Sequence, residues 1–321
     1  MKAAVLHDFG EQPRYEDFPD PRAGEGEVLV QVKAVALENV DKAMAKGLHY
    51  ASRQFLPQLP AIIGHSGIGV LADGQLVGFG GVKPPYGAMA EKVVIPQGNY
   101  FEIPEGVDAA VAAVVPSSAL TSYLPLRWLA KLQPDETVWI NGATGSSGKI
   151  AIQIAKLLGA GRIIGTGRNE KSLQQIRELG ADVAINLNLS EKELAHAFAN
   201  ETEKGCDIIL DFLWGYPTET LLQALVPTEL GFAKRRIRLV QLGEMAGSSI
   251  SLPAAALRTS GLEIYGGGSI PHEVIPESSA QVWDFIKGGK LHMDIERVPL
   301  EDVRSAWDNE DVHGKRIVLV L

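Results

Sequence analysis

The stretch "VWINGATGSSGKIAIQIAKLLGA", Val138 to Ala160, decides the fold. An apolar, β-branched segment leads through a turn of small residues into a segment with helical apolar spacing. That order is the entry to a dinucleotide-binding unit, where amides and the positive end of a helix dipole receive a pyrophosphate. The usual fingerprint is G-x-G-x-x-G, and the same register here reads Ala143, Gly145 and Gly148. The second glycine lets the backbone approach the phosphates, and the third lets the helix pack closely on the strand. Ala143 adds one methyl group at the position that forms the tight turn. Gly142, Thr144, Ser146 and Ser147 contribute small side chains and hydroxyls. The altered turn reads as a cofactor site.

Downstream the same alternation repeats. "RIIGTG" is followed by the helical "EKSLQQIRELGA", "DVAIN" by "SEKELAHAFANETEKG", and "CDIILDFL" by "YPTETLLQALV". "RIRLVQLG" and "GLEIYGGG" supply two more strands. Strands apolar nearly throughout suit a parallel sheet covered by helices on both faces, which predicts an α/β fold with a Rossmann doubly wound sheet over residues 118–268. Upstream, "EVLVQVKAVAL", "GIGVLADGQLVGFGG" and "AEKVVIPQGNYFEIP" read as short strands of a β-rich domain, with Asp73-Gly74 as a hairpin turn. After Ser269 come a helix, "PESSAQVWDFIKGG", the segment "DIERVPLEDVRSAWDNE" and a last strand, "KRIVLVL". This tail has no place in the nucleotide sheet, so the β-rich domain is expected to be discontinuous, residues 1–117 and 269–321.

The tip of the second nucleotide-binding strand selects the cofactor. NAD-preferring proteins place Asp or Glu there for the ribose 2′-hydroxyl. Here "IIGTGRNEK" gives Thr166, Gly167 and Arg168, with Lys171 nearby. A carboxylate repels a 2′-phosphate, whereas a guanidinium binds it with two hydrogen bonds, so NADPH is expected. Arg168 also reads as a solvated loop residue, with Asn169 capping the next helix and Glu170 in its first turn or reaching the ribose.

Composition narrows the rest. The 321 residues are 45% hydrophobic with a mean hydropathy of +0.04, enough for about two buried cores. One cysteine, Cys206, excludes an intramolecular disulfide and a multi-cysteine zinc site, and beside "CDIILDFL" it reads as a buried structural thiol. A net charge of −9 argues against nonspecific nucleic-acid binding. The one dense basic run, "KRRIR" at Lys234 to Arg238, reads as a solvated loop. "MKAAVLHDFG" lacks the features of a signal peptide, and no apolar, uncharged stretch of about 18 residues is expected. A cytoplasmic protein without a membrane partner follows as the expectation.

The ordered series of motifs resembles the medium-chain dehydrogenase/reductase superfamily, specifically its zinc-free, zeta-crystallin-like quinone oxidoreductase branch. "MKAAVLHDFG" and "PRAGEGEVLVQVKAVAL" resemble that branch's opening strands, "NVDKAMAKGLHY" its first substrate-cleft segment, and "IIGHSGIGVL" the region of the superfamily's Gly-His-Glu motif. "SSALTSYLPL" resembles the helix leading into the nucleotide domain, and "NGATGSSG" matches the branch's A-x-G-x-x-G variant. "GADVAINL", "GCDIILDFLWG", "RLVQLGE" and "HGKRIVLVL" complete the series. The resemblance implies a GroES-like catalytic domain beside the Rossmann domain, a homodimer paired through "GLEIYGG", and cofactor contacts that include Thr121, Leu242, Gly243, Gly268 and Ser269.

The resemblance also frames the reaction. Relatives with catalytic zinc use a Cys, the His of Gly-His-Glu and a later Cys or Asp; the aligned positions here are Glu38, His65 followed by Ser66, and the vicinity of Ser117. Serine is a poor third ligand, and the cysteine-rich lobe of structural zinc is missing, so no metal is expected. Relatives without zinc often carry an Asn at the position of Glu38, a Tyr near Ala43 and a Tyr at Leu187, and this chain departs from all three. Glu38, Asp41 and His65 remain as catalytic candidates, with Glu38 a candidate proton donor of raised pKa. Asp41 also reads as a helix cap, and His65 as a hydrogen-bonded structural residue. A quinone or conjugated enone is already electrophilic and needs no metal, so NADPH-dependent reduction of such a small molecule is the expected activity. A crystallin-like NADPH-binding protein without turnover, or an atypical metal-dependent alcohol dehydrogenase, are the alternatives.

Overall fold

The computed structural model describes every residue except 228–234 and 310–313. Lys234 of the basic run and His313 of the final motif therefore lie outside the described residues. Sixteen strands are present among them: β1 (Lys2–Leu6), β2 (Arg14–Asp17), β3 (Glu27–Ala36), β4 (Ala61–Ile62), β5 (Gly67–Val70), β6 (Leu76–Phe79), β7 (Lys92–Pro96) and β8 (Tyr100–Glu102) precede β9 (Thr137–Asn141), β10 (Arg162–Gly167), β11 (Val183–Asn186), β12 (Ile208–Asp211), β13 (Ile237–Gln241) and β14 (Leu262–Gly266), and β15 (Ile295–Pro299) and β16 (Arg316–Val320) close the chain.

Residues 1–115 and 293–321 form one compact unit, and residues 116–292 the other. In the nucleotide unit six parallel strands run in the order β11-β10-β9-β12-β13-β14. With β9 counted as first, that is the 3-2-1-4-5-6 order of a Rossmann sheet. The central strands β9 and β12 are buried at every position, as covering helices on both faces require. Edge strand β14 instead alternates buried and more exposed positions. Trp139 of β9 packs edge-on against Phe198 of the helix Glu191–Glu203, with ring centroids 5.0 Å apart, at the centre of one core layer.

The other unit is β-rich and GroES-like. A seven-stranded sheet contains the path β15-β16-β3-β5-β6-β8, with β7 also paired to β3, and a smaller sheet has the order β2-β1-β4. The β5–β6 hairpin turns at Asp73-Gly74, where Gly74 takes φ +90° and Asp73 accepts from the amide of Gln75. Ile317 and Leu319 of β16 join Val30, Val35 and Phe79 in one core, so the chain end completes this domain.

The return point differs from the sequence expectation of 269. The helix Ile275–Lys287 stays with the nucleotide unit, because Trp128 Nε1 donates to Ser278 Oγ at 3.0 Å. Gln153 then clamps the backbone of His292, donating to its carbonyl and accepting from its amide, both at 2.9 Å. Only after this clamp does the chain rejoin the β-rich unit.

A second correction concerns the helix Ala109–Leu129. Residues Ala109 to Leu126 carry no charge, and the helix is long and apolar enough to cross a membrane by length and composition. Two-thirds of its most apolar window is buried, and Ser117, Ser118, Thr121 and Ser122 interrupt it, which marks a core helix. Pro116 and Pro125 each remove a backbone donor, and π-type turns occupy Val115–Leu120 and Pro125–Leu129 in response. The division between the two units falls at Pro116.

The basic run is not simply solvated. Arg236 makes a bidentate pair with Glu263, and Arg238 is part of β13, donating to the carbonyl of Ala130 and to Glu136. Cys206 is buried and its thiol is pushed up to about 12 by desolvation, consistent with a structural role.

Candidate functional site

The nucleotide-side turn begins where β9 ends. Gly142 takes φ +87°, a left-handed conformation that glycine adopts without penalty. Gly142, one residue before the fingerprint register, therefore makes the tight turn that the register's first glycine would otherwise make. The methyl of Ala143 is fully buried, and it fits because β10 presents Gly165 to it. A Cβ on Gly165 would lie 2.9 Å from that methyl.

The two remaining fingerprint glycines differ in kind. A Cβ on Gly148 would lie 2.4 Å from the Gly142 carbonyl oxygen and 2.6 Å from Ala143 Cα, so close packing of helix on turn excludes it. A Cβ on Gly145 would meet only the Gly142 oxygen at an ordinary 3.6 Å. The protein has room there for a methyl, so any demand for glycine comes from a ligand. Gly145 is also the N-cap of the helix Ser146–Leu157 and no side chain caps it, so the positive end of this helix dipole meets the turn. Thr144 packs on Gly167, where a Cβ would clash with its side chain at 2.2 Å. Ser147 Oγ bonds Ser118 Oγ at 3.3 Å, and Ser122 donates to the Ser147 carbonyl. Thr121, beside Ser122 on the long helix, is exposed and donates to the carbonyl of Ser117.

Thr166 requires a correction. It is fully buried, its hydroxyl donates to Asn141 Oδ1 at 2.7 Å, and it accepts from the amide of Gly142 at 3.0 Å. It holds the turn instead of presenting itself to a cofactor. Asn141 donates onward to Asp211 Oδ1 and Thr218 Oγ1, and Thr218 donates to Asp211 Oδ2 at 2.6 Å. The amides of Leu213 and Trp214 also donate to Asp211, both at 3.0 Å. Burial pushes the Asp211 carboxyl above its usual range, opposed by these donors. A continuous polar network thus ties the ends of β10, β9 and β12 beneath the turn. Asn141, Asp211 and Thr218 escaped the sequence reading. A polar residue ending each otherwise apolar strand, "WIN" and "ILD", was the available signal.

Arg168 and Lys171 follow the tip of β10 and are exposed, and the Arg168 guanidinium has no hydrogen-bond or ion-pair partner among the described residues. Asn169 caps the helix Glu170–Glu178 by accepting from Ser172 N at 3.0 Å. Glu170 is engaged by the side-chain amide of Asn186. Leu242 and Gly243 follow β13, with both amides donating to the Asp211 carbonyl. Gly268 and Ser269 follow β14, and a Cβ on Gly268 would meet nothing within 4 Å. In a parallel sheet these positions share one edge with the turn, the carboxyl ends of the strands where such folds bind ligands.

In the β-rich unit the three catalytic candidates do come together. The helix Asn39–Ala45 has Glu38 as N-cap and Asp41 at its third position, in a reciprocal capping box. Asp41 is thus not the cap itself. Its Oδ2 accepts from the Glu38 amide at 3.0 Å, and its Oδ1 lies 3.2 Å from His65 Nδ1. The Asp41 side chain is only 3% exposed, and the His65 side chain is 33% exposed. Glu38 Oε2 stands 4.0 Å from His65 Nε2. The hydrogen bond from Asp41 raises the His65 pKa against the opposing effect of burial, with the charges of Asp41 and Glu38 adding to the rise. His65 and Asp41 line a pocket together with Tyr86 and apolar residues that include Met44, Phe55, Ile62 and Val82.

A metal fits poorly at this position. Glu38 and His65 Nε2 supply two donors, Ser66 stands in place of the motif's Glu, and Asp41 occupies His65 Nδ1. Among the described residues no group of three or more His, Cys, Asp or Glu side chains is arranged to hold a metal ion.

Comparison with known proteins agrees with this architecture. A family model described as zinc-binding dehydrogenase matches residues 148–273, all within the nucleotide unit and away from Glu38 and His65. The chain is 28% identical to an NAD-dependent alcohol dehydrogenase of Sulfolobus acidocaldarius, with all of both chains covered. It is 26% identical to a probable NADPH-dependent quinone reductase of Emericella nidulans, again over all of both chains. The quinone oxidoreductase of Thermus thermophilus, whose complex with NADPH has been solved, superposes with a TM-score of 0.78 at 26% identity, covering 100% of each chain. With this fold and these relatives, the chain belongs to the medium-chain dehydrogenase/reductase superfamily of oxidoreductases. Within it, the chain falls in the quinone oxidoreductase branch.

Proposed function

We propose that this protein is an NADPH-dependent reductase of quinones or conjugated enones that works without a metal. One observation carries the cofactor choice. Arg168 stands exposed after β10 with its guanidinium unengaged among the described residues, and the nearby acid, Glu170, is held by Asn186. A guanidinium there favours a 2′-phosphate, and Lys171 adds a second cation. The positive end of the helix that follows Gly145 would hold the pyrophosphate, with Gly145 giving it room. The bound nucleotide would supply a hydride.

On the substrate side, the chain offers a largely apolar pocket lined also by His65 and Asp41. Such a site suits an uncharged acceptor whose carbon is already electrophilic, and hydrogen bonding suffices for the developing oxyanion. Alcohol oxidation, by contrast, calls for strong polarisation at oxygen, which a two-donor site does not provide.

The test is NADPH oxidation with a panel of quinones and enones, run beside alcohols with NAD and NADP. Turnover of the panel supports the reading. Saturable NADPH binding with no turnover of any acceptor points to a binding protein. Alcohol turnover lost on chelation points to a metal-dependent alcohol dehydrogenase instead.

A further inference from the structure

We propose that His65 delivers the proton to the substrate oxygen, and that Asp41 is the positioning residue behind it. This rests on the reductase reading above and assigns the roles within that site. Gly64 takes φ +91°, and a Cβ there would lie 3.0 Å from Met89 Cγ and 3.2 Å from Met89 N, so the chain just before His65 is pressed against its neighbours in one conformation. Asp41 is fixed from two sides. The Glu38 amide holds Oδ2, and His65 Nδ1 engages Oδ1 at 3.2 Å. With Nδ1 so engaged, Nε2 is the nitrogen left for a substrate.

The charged groups around the ring are few. Glu38 and Asp41 face it from the helix Asn39–Ala45 and its cap, and Arg316 of β16 stands near both carboxylates while donating to the carbonyl of Leu37 at 3.4 Å. Tyr86 also lines the pocket, and the other lining residues are apolar. A carboxylate bound to Nδ1 in such surroundings favours the imidazolium, in which both ring nitrogens carry protons. A bound reduced dinucleotide would supply the hydride to carbon or to the quinone ring, with the carbonyl π pair passing to oxygen. The Nε2–H bond then breaks and its proton goes to that oxygen, leaving neutral imidazole for solvent to reprotonate. Glu38, a candidate donor from the sequence, sits at 4.0 Å from Nε2 and has its own place in the capping box.

The experiment uses the full chain and two variants, Asp41→Asn and His65→Gln. In the protein without added ligand, NMR titration of the His65 ring should show its pKa falling by about one unit or more in Asp41→Asn. With NADPH and a quinone or enone, the alkaline limb of kcat/KM in the wild type should coincide with the His65 titration and move down with it in Asp41→Asn. His65→Gln should lose that limb and about 100-fold or more in kcat, while its NADPH Kd stays within about twofold. Should Asp41→Asn fail to fold, His65→Gln carries the test. An unchanged alkaline limb in His65→Gln, with NADPH binding intact, overturns the proton-donor role and leaves the reductase reading standing. A His65 titration unmoved by Asp41→Asn overturns the role of Asp41. Absence of NADPH binding to the wild type overturns the reductase reading and the donor role together.

Discussion

Gly145 and Gly148 sit three residues apart in one turn, yet they are glycine for different reasons. Gly148→Ala places a methyl 2.4 Å from a backbone oxygen, and it should cost about 1–3 kcal/mol of stability in chemical denaturation. Gly145→Ala meets only an ordinary contact at 3.6 Å. It should change stability by less than about 1 kcal/mol while weakening NADPH binding about tenfold or more, read by calorimetric titration. Equal losses of stability in the two variants would contradict the assignment. The fingerprint already assigned these two roles in the sequence, and the packing role is visible in the structure at Gly148, whereas the ligand role at Gly145 rests on the space left beside it. What the sequence could not show is how the Ala143 methyl is accommodated, since the compensating Gly165 lies on another strand and only pairing of β9 with β10 brings them together. His65 offers a second test at this scale. Its pKa is raised in the folded state from 6.5, so the stabilisation from Asp41 is fully present below that value and is lost as pH rises through the folded pKa. The Tm difference between wild type and Asp41→Asn should therefore be largest near about pH 6 and shrink toward about pH 9. A difference that grows with pH would reverse the sign of the argument.

At the scale of elements, the ends of β9, β10 and β12 are joined by Asn141, Thr166, Asp211 and Thr218. Thr166→Val keeps the volume but leaves the Gly142 amide and the Asn141 carbonyl oxygen unpaired in the interior. It should destabilise the protein by about 1–3 kcal/mol in urea denaturation, whereas Thr166→Ser should recover most of that loss. A neutral Thr166→Val would show that the network does not fix the turn. Alternation of apolar strands and amphipathic helices made the nucleotide sheet legible, and Asp73-Gly74 marked the β5–β6 hairpin of the other unit, because those signals are local. The network was not legible for the opposite reason. Asn141 lies 25 residues from Thr166 and 77 from Thr218 in the chain, and Thr166 read alone looks like a surface hydroxyl at a strand tip. The helix Ile275–Lys287 was misplaced for a similar cause, since its apolar face carries no mark of which core it joins until Trp128 and Ser278 meet.

At the scale of the whole molecule, the chain is an oxidoreductase of two units, the glycine turn after β9 lying in one and His65 in the other. Reductase activity should survive overnight treatment with a strong chelator, because Glu38 and His65 make only a pair of donors. Loss of activity that zinc restores would contradict this. The order of elements, the β-rich and Rossmann parts and the glycine turn after β9 could be read along the chain. The substrate could not, because pocket walls such as Met44, Phe55 and Val82 come from separate segments and carry no chemistry of their own. The central claim concerns Arg168, and calorimetric titration of wild type and Arg168→Ala with NADPH and NADH at one salt concentration tests it most directly. The account predicts that wild type binds NADPH more tightly than NADH, and that Arg168→Ala weakens NADPH roughly 10- to 100-fold while leaving NADH nearly unchanged. Tighter binding of NADH by the wild type, or no saturable binding of NADPH, would contradict it.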